Sequence, residues 1–448
     1  MIRIARNMQS KNLNNSLAPK LSGLRYLLVF TFLTSCLLWP FSGLTVWHFI
    51  FFIILSFGIY YSYSRYVISL IIYLMMMLIY WIIIPVIQNR IGIGYYTSRV
   101  NIPEFSLEAL VFVIIHMFGI FMGYHIRLIS GAYNKNYRHR FSFLGVFFGL
   151  IFLGGLVSFL GVETIALSRV DQGQMIESNT YTLFLENITK LLPAFLLAYF
   201  VIERGNGIHR NIGLPVFILL LLCLIIVSNP VNTARFISLF GILIILLSYA
   251  IKYSKLRFLA WLLVLSPLYA FLVLPLTSLA RLGLNNVSIG YVLTSLQTLE
   301  FSSYSIFLDA LKIDNFANEN YLISHLLIFM PRSLWPEKAD SIGVFVAENS
   351  GYVYHNVGLI SFFNAFADYG YIGLFLISLS FGLIAKNLNP VNENPSFRNR
   401  RFIYGVIFTG LAPMVFRGDL STTMIAFYAA TLAYEVTRFL TRFRLYVK

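Results

Sequence analysis

Along the 448 residues, runs of about twenty apolar side chains alternate with short polar segments. A helix needs about 20 apolar residues to cross the hydrocarbon core of a bilayer. Twelve stretches meet or approach that pattern: 24–41, 45–63, 66–87, 106–127, 142–163, 181–202, 212–229, 233–251, 257–277, 364–385, 402–416 and 420–437. The eleventh is short, and the sixth carries Glu186 and Lys190. The first follows a basic, Asn-rich tail and reads as a retained span, not a cleaved signal. Segment 278–363 is the one long polar connection, and 164–181 is a smaller one. Within the long connection, 289–313 places apolar positions at helical spacing with few charges. That pattern predicts an amphipathic helix on the outer leaflet or against the bundle. Residues 321–330 (YLISHLLIFM), ended by Pro331, are too few to span and read as re-entrant or interfacial. The expected fold is therefore all-α: a single integral membrane domain over 1–448, a polytopic transmembrane helical bundle of about 12 spans. Loop 278–363 is expected to be extracytoplasmic and to contain the amphipathic and re-entrant helices.

Composition sharpens this reading. Hydrophobic residues make up 58% of the chain and charged residues only 11%, against about 25% charged in soluble domains. The mean hydropathy is +0.77. A net charge of +15 raises the question of nucleic acid, and its distribution answers it. With the N-terminus cytoplasmic, the inner segments hold 23 of the 33 Lys and Arg, but only Glu203, Glu393 and Glu435 of the 18 acids. This is the positive-inside signature of membrane insertion, with anionic headgroups as the remaining partner of the inner charges. No nucleic-acid partner is expected. Cys36 and Cys223 both sit in apolar runs, so no disulfide is expected and no redox compartment follows.

Soluble-enzyme signatures are missing: there is no phosphate loop, dinucleotide fingerprint, zinc-protease helix or nucleophile elbow. The seven histidines show no metal-ligand spacing with cysteine or acid. What remains are the cations that oppose the positive-inside rule: Arg90, Arg99, Arg169, Lys190, Arg235, Arg281, Lys312, Arg332, Lys338 and Arg417. Arg169, Arg235, Arg281 and Arg417 stand near the outer ends of apolar runs, and Lys190 lies well inside one. An ionisable group inside a membrane protein is costly and faces the bundle interior or water. Two explanations compete. The cations pair with local acids such as Asp171, Glu186, Glu300 or Asp419, or they converge on an anionic ligand. Arg suits a phosphate because its planar fork donates two parallel hydrogen bonds, and a lipid pyrophosphate at the outer surface is an anion of that size. His355, just before a late span, is either a general base or diphosphate donor, or an interfacial histidine bonded to backbone. His325, in the short apolar run, is the other outer histidine of the long loop.

Several stretches resemble one family. They are SRVDQGQ, then a span with Lys190 and Pro193, NPVNTARFISLFGILI, IFMPRSLWPEKAD, HNVGLISFFNAFADYGYIG and FRGDLSTTMIAF, in an order that covers residues 165–430. The chain is similar to the Wzy-type O-antigen or oligosaccharide repeat-unit polymerases, most of all the enterobacterial common antigen polymerases. The run from Pro331 to Lys338 is the most specific piece. One departure is that loops 164–181 and 278–363 share no clear duplicated arginine motif.

The resemblance implies His355, Arg281 and Arg417 at the reacting centre. It implies Arg169, Lys190, Arg235, Arg332 and Lys338 as contacts to pyrophosphate or sugar. It also implies a metal-independent glycosyl transfer without cofactor, on undecaprenyl-pyrophosphate-linked oligosaccharides. The acceptor hydroxyl of an incoming lipid-linked repeat unit would attack the anomeric carbon of the growing glycan and displace the lipid pyrophosphate. The expected location is the bacterial cytoplasmic (inner) membrane, with both termini cytoplasmic and a repeat-unit flippase and a chain-length regulator as functional partners. Two rivals remain. An O-antigen ligase shares the architecture, and the Pro331–Lys338 run favours the polymerase over it. A lipid-linked oligosaccharide flippase or other transporter is disfavoured by the lack of internal repeat symmetry.

Overall fold

The computed structural model describes residues 46–91, 106–126, 141–162, 180–203, 210–229, 235–253, 302–313, 316, 320–352 and 357–442. Among them all regular structure is helical. The helices are α1 (Val46–Ser64), α2 (Ile68–Leu78), α3 (Ile84–Ile91), α4 (Leu107–His125), α5 (Phe143–Leu160), α6 (Thr180–Glu203) and α7 (Arg210–Val227). They continue with α8 (Arg235–Lys252), α9 (Ser303–Leu311), α10 (Tyr321–Leu326), α11 (Ile342–Ser350), α12 (Phe363–Asn387), α13 (Arg400–Arg417) and α14 (Leu420–Leu440). A π-helical segment, Ile79–Ile83, joins α2 to α3.

Helices thus overlie ten of the twelve expected apolar stretches, while 24–41 and 257–277 lie outside the described residues. Among the described residues, six segments are long and apolar enough to cross a membrane: Val46–Ser64, Ile68–Val86, Leu107–His125, Phe143–Leu160, Thr180–Glu203 and Phe363–Asn392. α7 and α8 supply the shorter apolar segments Gly213–Val227 and Phe236–Lys252. α13 and α14 are helical as expected, but their polar content keeps them out of that group of six. α13 is instead buried along most of its length, so protein surrounds it.

α6 is the hub of one half, with α5, α7, α8 and α14 packed around it. In the other half α2 lies between α1 and α13, and α4 pairs with α12. The α4–α12 contact is a small-residue interface of the kind that lets membrane helices approach closely. A Cβ on Gly119, Gly123 or Gly382 would overlap the backbone of the opposite helix. His116 of α4, buried completely, bridges the same interface: its Nδ1 lies 2.7 Å from Ser378 Oγ and its Nε2 2.8 Å from Tyr73 OH.

The contacts separate into two ends. At one end Lys386 donates to the carbonyl of Ile126 (3.1 Å), Asn389 to that of Tyr66 (3.0 Å), and Tyr253 to that of Val201 (3.2 Å). Glu203 accepts from the Phe397 amide (3.1 Å), and Arg400 pairs with Glu435 (2.9 Å). Arg65, Lys252, Lys386, Arg398, Arg401, Arg438 and Arg442 belong to these same stretches. The described part of loop 278–363 gathers at the opposite end. There α9 packs against α4, the π segment and α11, and α10 packs against α12 and α14.

Of the amphipathic stretch 289–313, only Ser302–Ile313 is described. Its helix is buried from Ser303 through Leu308, so it packs against the bundle and does not lie on a leaflet. Phe307 stacks on Trp81 at 4.2 Å between centroids, and the His48 ring donates through Nε2 to the Trp81 carbonyl at 2.6 Å. The short apolar run 321–330 is helical only over Tyr321–Leu326 and then turns. Its buried residues Tyr321, Ser324 and His325 face the bundle.

Candidate functional site

Four of the eight expected site residues have described side chains. Lys190 is 3% exposed inside α6 and forms an ion pair with Glu186, one turn earlier. Its own carbonyl accepts from Ser228 Oγ at 2.5 Å, and the Ser228 carbonyl accepts from Ser238 Oγ at 2.8 Å, which ties α6 to α7 and α8. Pairing with a local acid, the simpler of the two readings, thus holds for Lys190.

It holds for Arg332 too, whose Nη2 lies 2.5 Å from Asp340 Oδ1 in an exposed pair. Lys338 Nζ donates to the carbonyls of Ile328 (2.5 Å) and Met330 (3.1 Å), closing the turn that follows α10. Partial burial, with a smaller repulsion from Arg332, lowers the Lys338 pKa from its ordinary value. The Pro331–Lys338 run is therefore a self-stitched loop in which each cation has a partner of its own. Arg235 opens α8, but its side chain is outside the description. Arg169, Arg281 and His355 also lie outside the described residues.

Arg417 is the fourth described site residue. It is the last residue of α13, 7% exposed, and its Nη1 donates to the Gly358 carbonyl at 3.4 Å. Residues 357–361 wrap the end of α13: the Ser361 amide donates to the Val415 carbonyl (3.0 Å) and Ser361 Oγ to that of Gly418 (2.7 Å). Gly358 is required by space, because a Cβ there would overlap both the Arg417 carbonyl and its guanidinium.

Asp419, the acid expected to neutralise Arg417, is engaged elsewhere. One oxygen accepts from Ser341 Oγ and from Ser421 Oγ (2.9 Å), and the other from Asn364 Nδ2 (3.3 Å). His325 Nδ1 stands 3.8 Å from that second oxygen and 2.8 Å from Asn364 Oδ1. The orientation of the amide follows from chemistry. Asn364 Nδ2 also reaches the Ser361 carbonyl at 3.1 Å, and a carbonyl only accepts. Asn364 Oδ1 therefore faces the histidine, and His325 Nδ1 is the donor. In the neutral ring Nε2 is then the accepting nitrogen.

His325 and Asn364 are 1% and 0% exposed, so the cluster is interior. Asp368, one turn further along α12, accepts the first two α10 amides, Tyr321 at 2.9 Å and Leu322 at 2.7 Å. A single buried polar hub thereby joins α10, α11, α12 and the start of α14 beside Arg417.

His325 was visible in the sequence as an outer histidine. Asn364, Ser341, Ser361 and Ser421 were not singled out. The available signal was Asn364, an amide among Phe362, Phe363 and Phe366 in the first turn of α12. Among the described residues, no three His, Cys, Asp or Glu side chains converge as a metal-ligand set. Compared with protein-family models, curated proteins and solved structures, the chain matches none of them.

Proposed function

We propose that this protein polymerises lipid-pyrophosphate-linked oligosaccharide repeat units into a surface polysaccharide, by glycosyl transfer at the outer face of the bacterial cytoplasmic membrane. The observation that carries the reading is Arg417, an arginine buried at the outer end of α13, adjoining a polar hub that binds the long loop to the bundle. The clustering of Arg65, Lys252, Lys386 and Arg398–Arg401 at the opposite end supports its orientation under the positive-inside rule. In this reading the donor is a growing glycan on its lipid pyrophosphate, and a hydroxyl of the incoming unit attacks the anomeric carbon. The new glycosidic C–O bond forms as the old one to pyrophosphate breaks, and the pyrophosphate leaves with the electron pair. A fixed guanidinium lowers that barrier by opposing the charge that develops on the leaving group. Arg281 and Arg417 are assigned to the reacting phosphate and His355 to the acceptor proton. Arg169, Arg235, Arg332 and Lys338 are assigned to contacts with pyrophosphate or sugar, and Lys190, beside Glu186, joins them from within the bundle.

A deletion strain separates this reading from its rivals. A polymerase defect leaves surface glycan with a single capped repeat unit, which is the expected result. Loss of all units from the surface indicates a ligase, and cytoplasmic accumulation of lipid-linked units indicates a flippase.

A further inference from the structure

At the same end of the bundle a groove of about 580 Å³ opens between the start of α4, the end of α9 and the first third of α12. Its size falls within the ~300–1,000 Å³ range of small-molecule sites. Its wall is aromatic: Phe366 and Tyr371 rings meet at 5.2 Å and 64°, and Phe316 rests 5.5 Å from the buried Phe363. Glu108 and Lys312 supply the charges.

Gly370 forms part of the lining with φ 59° and ψ −148°, a conformation essentially reserved for glycine. A Cβ at Gly370 would meet nothing within 4 Å, so the break in α12 leaves open space. The break restarts the helix at Tyr371, which is 38% exposed at the groove.

The charges select the ligand. Lys312 Nζ lies 3.8 Å from Asp309, whose other oxygen accepts from Tyr352 OH at 2.6 Å, so its charge is already partly answered. Glu108 is exposed and makes no ion pair or hydrogen bond with a described residue. Its place in the first turn of α4 suits the helix dipole, but the dipole does not account for the aromatic wall beside it. One acid stands against one ammonium that Asp309 already partly answers, so the groove has no surplus positive charge for a phosphate. The charges of Glu108 and Lys312 disfavour a lipid tail. A ring with hydroxyls that both donate and accept on its edge, and C–H groups on its face, satisfies every wall.

We infer that this groove is a saccharide subsite, with Glu108 and Lys312 on hydroxyls and Tyr371 against the sugar face. The choice of a sugar rests on the polymerase reading, in which the subsite holds part of the glycan beside the hub. Phe366 and Ala367 follow Asn364 within one turn of α12, which sets the groove next to the Asp419 cluster.

The test is saturation-transfer NMR on the full chain, in a detergent without a sugar headgroup. The probes are free glucose, galactose and N-acetylglucosamine, with glycerophosphoethanolamine as the lipid-headgroup arm. Transfer to ring protons of at least one sugar is expected, falling at least tenfold in Glu108→Gln and Tyr371→Leu. Arg417→Ala keeps the signal even though it makes no polymer, so loss of polymerisation and loss of sugar binding are read separately. No transfer to any sugar, equal transfer in wild type and both variants, or transfer to glycerophosphoethanolamine alone would overturn the subsite.

Discussion

Replacing Arg417 by Ala is expected to abolish chain extension while the protein reaches the membrane at wild-type level. Losing one fixed donor to a developing oxyanion costs about 2.7–4 kcal/mol, or roughly 10²–10³ in rate. Arg417→Lys should rescue poorly, because an ammonium keeps the charge and loses the two-pronged geometry. The reach of the side chain is set by the wrap of residues 357–361 and by the donation to the Gly358 carbonyl. The competing explanation, an Arg417–Asp419 ion pair, predicts that neutralising both residues restores function. Asp419 is taken up by Ser341, Ser421 and Asn364, so Asp419→Asn should loosen the polar hub and the double variant should remain inactive. Recovery of polymer in the double variant would return Arg417 to a structural role.

The second large effect concerns stability. Gly123→Leu should prevent the folded protein from accumulating, and even Gly123→Ala should lower the melting temperature in detergent. A Cβ at Gly123 would overlap the Leu379 carbonyl, which is backbone and cannot rotate away. The helices must separate, loosening the His116–Ser378 contact beside them. Overpacking a close interface costs about 1–3 kcal/mol for modest additions. Gly154→Ala on α5 is the control, because nothing lies within 4 Å of its Cβ position. It should be neutral or stabilising by about 0.5–1 kcal/mol, the helix-interior difference between Gly and Ala. Equal melting temperatures for Gly123→Ala and wild type would contradict the α4–α12 packing.

The helices were legible because a span announces itself twice, by twenty apolar residues and by the charges at its ends. The stretches 106–127 and 364–385 became α4 and α12 with shifts of only a few residues at their ends. What the pattern did not reveal was the pairing of helices, which depends on small residues such as Gly119, Gly123 and Gly382 and not on hydropathy. Nor could it separate α13, a helix surrounded by protein, from one surrounded by lipid.

The candidate site was legible in part. Intramembrane cations drew attention to Arg417 and Lys190 alike, and only geometry gives their surroundings: Lys190 pairs with Glu186 one turn away, and Arg417 donates to the Gly358 carbonyl. The short apolar run 321–330 read as re-entrant or interfacial, and its length could not say which of its residues face the bundle and which, like Ile323 and Leu327, stay exposed. His325 and Ser324 turn that segment inward, since their polar atoms find Asn364 and the Ala339 amide there.

The most direct test of the account is a defined reaction. Purified protein is mixed with one lipid-pyrophosphate-linked repeat unit, and the products are resolved by length. The account predicts a ladder spaced by whole repeat units, with one lipid pyrophosphate released per bond formed, and no ladder from Arg417→Ala. Unchanged substrate from a folded, membrane-competent wild-type protein, or a ladder of equal length and yield from Arg417→Ala, would contradict it.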